Sequence, residues 1–298
     1  MISDFGATVF AKLDGRRIVF ILVFLTLSLP LLLRWSVPPV PMAAAQKLFD
    51  QVEALPNSEA GKIAYVALDY GPGTNAESGS QARAVIEHLM RRRIKFLVTS
   101  QALEAAPITN SLPDEVAAGL MKLYPGERWE YGVDWVNVGY TPGGGLNIQS
   151  VAKAESLAGF FKRDARGNST QELPIFRGVK GLDSVTALVQ ITSLTGTLEN
   201  YLQFFQTESY RPIFLHACTS IATPQAFIYL DSGQIKGLLE GIAGAAWYGQ
   251  LLSRKHPERP VDDSVVINTT LGVAHLLVIA LILAGNVLGF FGRKPVRA

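Results

Sequence analysis

Three segments carry the residue types from which a binding or catalytic site could be assembled. The first is Asp69 followed by Gly71-Pro72-Gly73-Thr74-Asn75-Ala76, which fits the G-x-G-x-x-G/A pattern whose backbone amides approach a dinucleotide pyrophosphate. Three features weaken that match. Pro72 stands between the glycines, the next helical pattern starts several residues late, and the following strand ends in Thr99-Ser100, where an acidic ribose partner would stand. The competing reading is a turn that exposes Asp69 and the amides of Gly71 and Gly73. The second segment is Gly143-Gly144-Gly145, preceded by Tyr140-Thr141-Pro142. Its amides are suited to cradle an anion, but no Gly-Lys-Ser/Thr follows, so it is not a P-loop.

The third is His216-Ala217-Cys218. An imidazole beside a thiol suggests an activated nucleophile. Two residues apart on one strand, the pair shares a face but is poorly placed for in-line proton transfer, and a lone cysteine is ordinarily a small buried hydrophobe. No catalytic residue is assigned on this basis. The four histidines, His88, His216, His256 and His275, are scattered through the chain without a cysteine pair, so no metal site and no cofactor is expected.

These segments all follow apolar runs of strand length. Residues 63–69, 94–99, 133–139, 185–192 and 213–215 read as strands, separated by helical patterns at 82–89, where Ser80 would cap, and at 113–124, 150–161, where Ser150 would cap, and 198–205. Alternating strand and helix predicts an α/β fold: a Rossmann-like doubly wound, mainly parallel sheet of about five strands. Ligands of such sheets bind beyond the strands' carboxyl ends. That rule makes Asp69, Gly71, Gly73, Gly143, Gly144, Gly145, His216 and Cys218 the candidate ligand residues. Thr223-Pro224 should open a further helix, and 232–252 reads as the last long one. Along it Gly233, Gly237, Gly241, Ala245 and Gly249 recur every fourth residue. A small-residue stripe of this kind permits close backbone approach, either to the chain's own sheet or to a second subunit. Arg91-Arg92-Arg93 and Lys95 close the first helix as a solvated, dipole-compensating end.

Both ends of the chain are read as membrane segments. Residues 271–291 carry no formal charge and precede Arg293, Lys294 and Arg297, while Lys12, Arg16 and Arg17 precede the apolar run 18–33. About 20 apolar residues span a bilayer, and basic flanks favour the cytoplasmic side. The expected organisation is a cytoplasmic tail (1–17), a transmembrane helix (18–35), a Pro-rich linker with a short helix (36–61), an extracytoplasmic α/β domain (62–253), a second linker (254–264), a second transmembrane helix (265–291) and a cytoplasmic tail (292–298). Cleavage of the first segment as a signal peptide at Ala43-Ala44-Ala45 is the alternative. That site lies far beyond the apolar run and behind Pro38, Pro39 and Pro41.

A formal net charge of +2 over 298 residues, with six of the 27 Lys and Arg residues in the short tails, gives no strongly basic nucleic-acid surface. The single cysteine rules out an intrachain disulfide. No motif identifies a family. The expected function is a non-enzymatic partner- or ligand-binding subunit of an inner- or plasma-membrane assembly, in contact with lipid and self-associating. The alternatives are a membrane-anchored enzyme acting on a small or cell-envelope substrate, with Asp69, His216 and Cys218 around its cleft, and a soluble-domain component of a transporter.

Overall fold

The computed structural model describes residues 15–57, 60–208 and 210–291, with side chains from 16 to 287. It divides the chain into two compact units, one of residues 39–264 and one of the segments before and after them. The 292–298 tail and most of the 1–17 tail therefore lie outside the described residues.

In the larger unit six parallel strands form one sheet in the order β3-β2-β1-β4-β5-β6. They are β1 (Ile63–Asp69), β2 (Phe96–Ser100), β3 (Trp135–Tyr140), β4 (Val185–Thr192), β5 (Ile213–Cys218) and β6 (Gly237–Glu240). The order reverses direction between β1 and β4, the topological switch point of a doubly wound fold. Burial on both faces is what makes these strands continuous apolar runs; every residue of β1 is buried. One face packs on α2 (Ala43–Ala54), α3 (Ser80–Arg91), α4 (Ala106–Leu123) and α9 (Gly241–Lys255). The other packs on α5 (Gly144–Ala152), α6 (Leu157–Phe161), α7 (Thr197–Phe205) and α8 (Thr223–Asp231).

The sixth strand is the main departure from expectation. The segment 232–252 is not one helix: a turn at Gly233 (φ +75°) leads into β6, and α9 begins only at Gly241, itself at φ +54°. The small-residue stripe is therefore divided among a turn, a strand and a helix. Leu238 and Leu239 point to opposite layers, a two-sided burial that a helix could not give them. Gly237 is needed where α2 crosses β6, because a Cβ there would lie 2.4 Å from Leu48 Cα. Gly237→Ala should therefore destabilise the unit by about 1–3 kcal/mol, since backbone must move to admit the methyl. Gly119→Ala in α4, where the added Cβ meets nothing within 4 Å, should stabilise by about 0.5–1 kcal/mol. Chemical unfolding of both variants checks the contrast.

Other local expectations change for local reasons. Neither Ser80 nor Ser150 caps a helix: each hydroxyl donates back to the carbonyl four residues earlier, Ala76 at 2.7 Å and Leu146 at 2.8 Å. Helical turns start as early as Pro72 and run through Asn75–Gly79 into α3, sooner than the pattern implied. The 150–161 helix is two helices, α5 and α6, and the 113–124 helix starts at Ala106 with Pro113 inside it. Arg91 is not part of a solvated helix end. Its side chain is buried, with Nε on Glu87 and Nη1 on Tyr124 Oη at 2.8 Å each. The helix α2, expected within a linker, contributes Leu48 and Val52 to the core.

In the smaller unit, α1 (Gly15–Leu32) and α10 (Asp263–Phe291, whose first two residues belong to the larger unit) expose apolar side chains such as Phe24 and Leu276. Among the described residues one helical stretch, Asp263–Val287, is long and apolar enough to cross a membrane: 25 residues with a mean hydropathy of 2.3. At about 1.5 Å per residue it exceeds the ~30 Å hydrocarbon core. The helix α1 is 18 residues long and holds Arg16, Arg17 and Pro30. The backbone N–H of Val37 donates to Thr269 Oγ1 at 2.9 Å.

Candidate functional site

The carboxyl ends of the strands bring most of the candidate residues into one neighbourhood. Asp69 ends β1 and is paired in register with Thr192 of β4, which in turn pairs with Cys218 of β5. One level deeper Ala67, Gln190 and His216 are neighbours in the same way. Strand alternation turns Asp69, Gln190, Thr192, His216 and Cys218 to the face covered by α5 to α8.

Asp69 is fully buried. Its Oδ1 accepts the backbone N–H of Gln101 at 2.7 Å, and its Oδ2 accepts Gln190 Nε2 at a long 3.5 Å. Burial pushes its pKa up to about 6, against the opposing pull of the Gln101, Gln190 and Ser100 donors. The side chain of Gln101 then links Asp69 to the glycine-rich loop, because its Nε2 donates to Thr141 Oγ1 at 2.8 Å and to Asn147 Oδ1 at 3.2 Å. Gly143, at φ +115°, stands immediately before α5, and Gly144, at φ +53°, is its first residue. Gly145 admits Asn200 of α7, whose Oδ1 would lie 2.9 Å from an added Cβ. Gly71 faces Glu104 closely, with 2.6 Å from a notional Cβ to Cγ, whereas Gly73 faces open space.

His216 and Cys218 do share a face, yet neither is activated. Burial alone pushes His216 down to about 3, leaving a neutral imidazole whose Nδ1 has no hydrogen-bond partner. Burial, and then the charges of Glu240 and Glu77, push the Cys218 thiol up to about 11; its Sγ lies 3.8 Å from Thr223 Oγ1. A reactive cysteine needs the reverse shift. Comparison with family models, with curated proteins and with solved structures yields no match. The chemistry must be read from the side chains themselves.

The residues joining the candidates are amides and hydroxyls that sequence reading did not single out: Gln101, Asn147, Gln190, Thr192 and Asn200. Their residue types carry no spacing signal: Gln101 follows β2, Gln190 and Thr192 lie in β4, and Asn147 and Asn200 sit on α5 and α7. Gln190 Oε1 and the hydroxyls of Tyr65 and Tyr201 are buried on this face without partners. The small residues of the expected interface meet their own chain: Gly237 meets α2, Gly241 the Ser220 hydroxyl, and Gly249 the Asp262 carboxylate, while Ala245 is buried. Among the described residues no three His, Cys, Asp or Glu side chains converge as a metal site.

Proposed function

We propose that this chain is a non-enzymatic subunit of a membrane assembly, whose Rossmann-like unit binds a small ligand or a partner protein and associates with copies of itself. The observation that carries the reading is the composition of the switch-point crevice. It is built from amides, hydroxyls and glycines around one buried acid, and its imidazole and thiol are held in unreactive forms. Such a lining recognises polar groups without supplying a nucleophile and base. Acid–base catalysis is the second reading, favoured by Asp69 alone, because a carboxyl titrating near 6 can exchange a proton at neutral pH.

The reading includes two spans, α10 and the 18–35 segment, with both basic tails in the cytoplasm and the α/β unit outside. Its tests are direct. In mild detergent, light scattering should give a discrete oligomer; a monomer at all concentrations would remove self-association. For topology, a cysteine placed at Asn57 should be labelled by a membrane-impermeant maleimide on intact cells. Cys218 is buried and serves as the unlabelled background. Labelling only after lysis would put the unit in the cytoplasm.

A further inference from the structure

Polar side chains interrupt the apolar surface of α10, and they differ in whether the chain satisfies them. Thr269 and Thr270 return their hydroxyls to the carbonyls four residues earlier, Val265 at 2.8 Å and Val266 at 2.9 Å. Among the described residues nothing bonds to the side chain of Asn268, His275 or Asn286. At about 100° per residue these three lie within about 20° of one another around the helix. Asn268 and Asn286 stand about 27 Å apart along its axis, close to the ~30 Å depth of a hydrocarbon core. His275 is the middle residue of the apolar stretch Asp263–Val287.

Gly272, Ile279 and Ile282 complete the row. Asn268, Gly272, His275, Ile279, Ile282 and Asn286 follow one another at alternating intervals of four and three residues. That is the heptad spacing of a left-handed coiled-coil seam, the commonest packing of membrane helices. From Gly272 onward the row is exposed, with Ile279 at 53% and Ile282 at 58%. Val273, Leu277 and Leu281, which are partly covered, recur on the opposite face. The chain's own packing therefore leaves the seam open.

What covers the seam follows from its chemistry. A polar side chain inside hydrocarbon needs a hydrogen-bonding partner, and a lipid tail offers neither donor nor acceptor. A carboxamide and a neutral imidazole each carry both, so each can pair with its own copy. Every copy of the chain enters the membrane in the same orientation, and a two-fold axis along the membrane normal sets each residue opposite itself. That one operation satisfies three side chains at three depths, whereas a different helix would need polar groups matched to all three.

We infer that the α10 seam of Asn268, Gly272, His275, Ile279, Ile282 and Asn286 pairs in parallel with the same seam of a second copy of this chain. The inference rests on the membrane-spanning and self-association readings above, and it supplies the contact between copies.

The experiment uses the full chain in native membranes and in detergent micelles. Ile279→Cys on the seam and Leu277→Cys on the opposite face are oxidised with copper phenanthroline; Cys218 is buried and stays unlinked. Ile279→Cys should give a disulfide-linked dimer on a non-reducing gel, and Leu277→Cys should not. In micelles, energy transfer between labelled copies should show His275→Leu weakening dimerisation about tenfold, the size of one strong interhelical hydrogen bond. His275→Asn, which keeps a donor and an acceptor, should retain it. Equal cross-linking at the two positions, or unchanged dimerisation in His275→Leu, overturns the inference, and a discrete oligomer that survives such a result leaves self-association in place through another surface. Cross-linking of Ile279→Cys only to a different protein overturns it as well. A monomer at every concentration, with no cross-link in membranes, rejects both.

Discussion

Arg259→Ala is expected to cost about 3–5 kcal/mol of unfolding free energy, the loss that follows when one partner is removed from a buried ion pair and the other is left uncompensated. The Arg259 side chain is 5% exposed, and its acceptors Glu87 and Asp262 are 12% and 8% exposed. Its Nε donates to both Glu87 oxygens, at 2.9 and 2.8 Å, and its Nη2 donates to Asp262. Through this contact the chain that follows α9 is tied to α3. Burial works against the guanidinium's charge, but the two carboxylates outweigh it and raise the group's pKa. Alanine leaves the buried Asp262 carboxylate without its guanidinium, and Glu87 with Arg91 as its remaining cation. Denaturant unfolding checks the size of the loss. The mechanism makes a second demand: adding Asp262→Asn to the alanine variant should restore part of the stability, while Glu87 is kept because it also holds the buried Arg91. If the double variant is less stable than Arg259→Ala alone, uncompensated charge is not the cause.

Asp69→Asn is expected to act in the opposite direction, with an effect that grows from pH 3.8 and is complete above pH 6. A carboxyl whose folded pKa of about 6 lies above its ordinary value of 3.8 contributes fully to stability below pH 3.8. That contribution is lost as pH rises through 6, because the folded state then has to bury a charge. The separation of about two pKa units corresponds to roughly 3 kcal/mol at pH 8. Asparagine cannot ionise, and its Oδ1 can keep the bond from the Gln101 N–H. Its amide can also donate to Gln190 Oε1, now unpartnered, once the Gln190 amide flips. The variant should therefore be the more stable protein at pH 8 and lose that advantage at about pH 3, below the carboxyl's ordinary pKa. Unfolding free energies at the two pH values decide it; a wild-type pH slope that persists in the variant would show that another group titrates. Glu53 works with the opposite sign. Its bond to His88 holds its pKa at about 2, so its contribution is lost only as pH falls from 4.5 toward 2.

The two predictions differ in how far the sequence foreshadowed them. Asp69 was legible because it ends an apolar run bounded by turn residues, and β1 and β4 lie where such runs placed them, Ile63–Asp69 and Val185–Thr192. Arg259 was not. An arginine in a polar, Pro-containing stretch looks solvated, and what buries it is the approach of Glu87, 172 residues away in sequence, beside its near neighbour Asp262. The same holds for Arg91, read as a helix-end charge and found beneath Tyr124 and Glu87. β6 failed for a related reason. Over four residues helical and strand periodicity cannot be told apart, and what selects the strand is the packing of Leu48 on Gly237 together with the pairing of Leu215 with Gly237.

Local chemistry along the chain was enough to determine the alternation of strands and helices, the parallel α/β class, the apolar stretch near the carboxyl end and the strand-end position of Asp69, His216 and Cys218. Each depends on hydrophobic periodicity or turn residues within a short window. The tertiary structure decided the sixth strand, the burial of the two arginines, the amide and hydroxyl network around Asp69 and the unreactive state of the His216–Cys218 pair. Those depend on desolvation and on partners distant in sequence, and neither is set until the layers have packed.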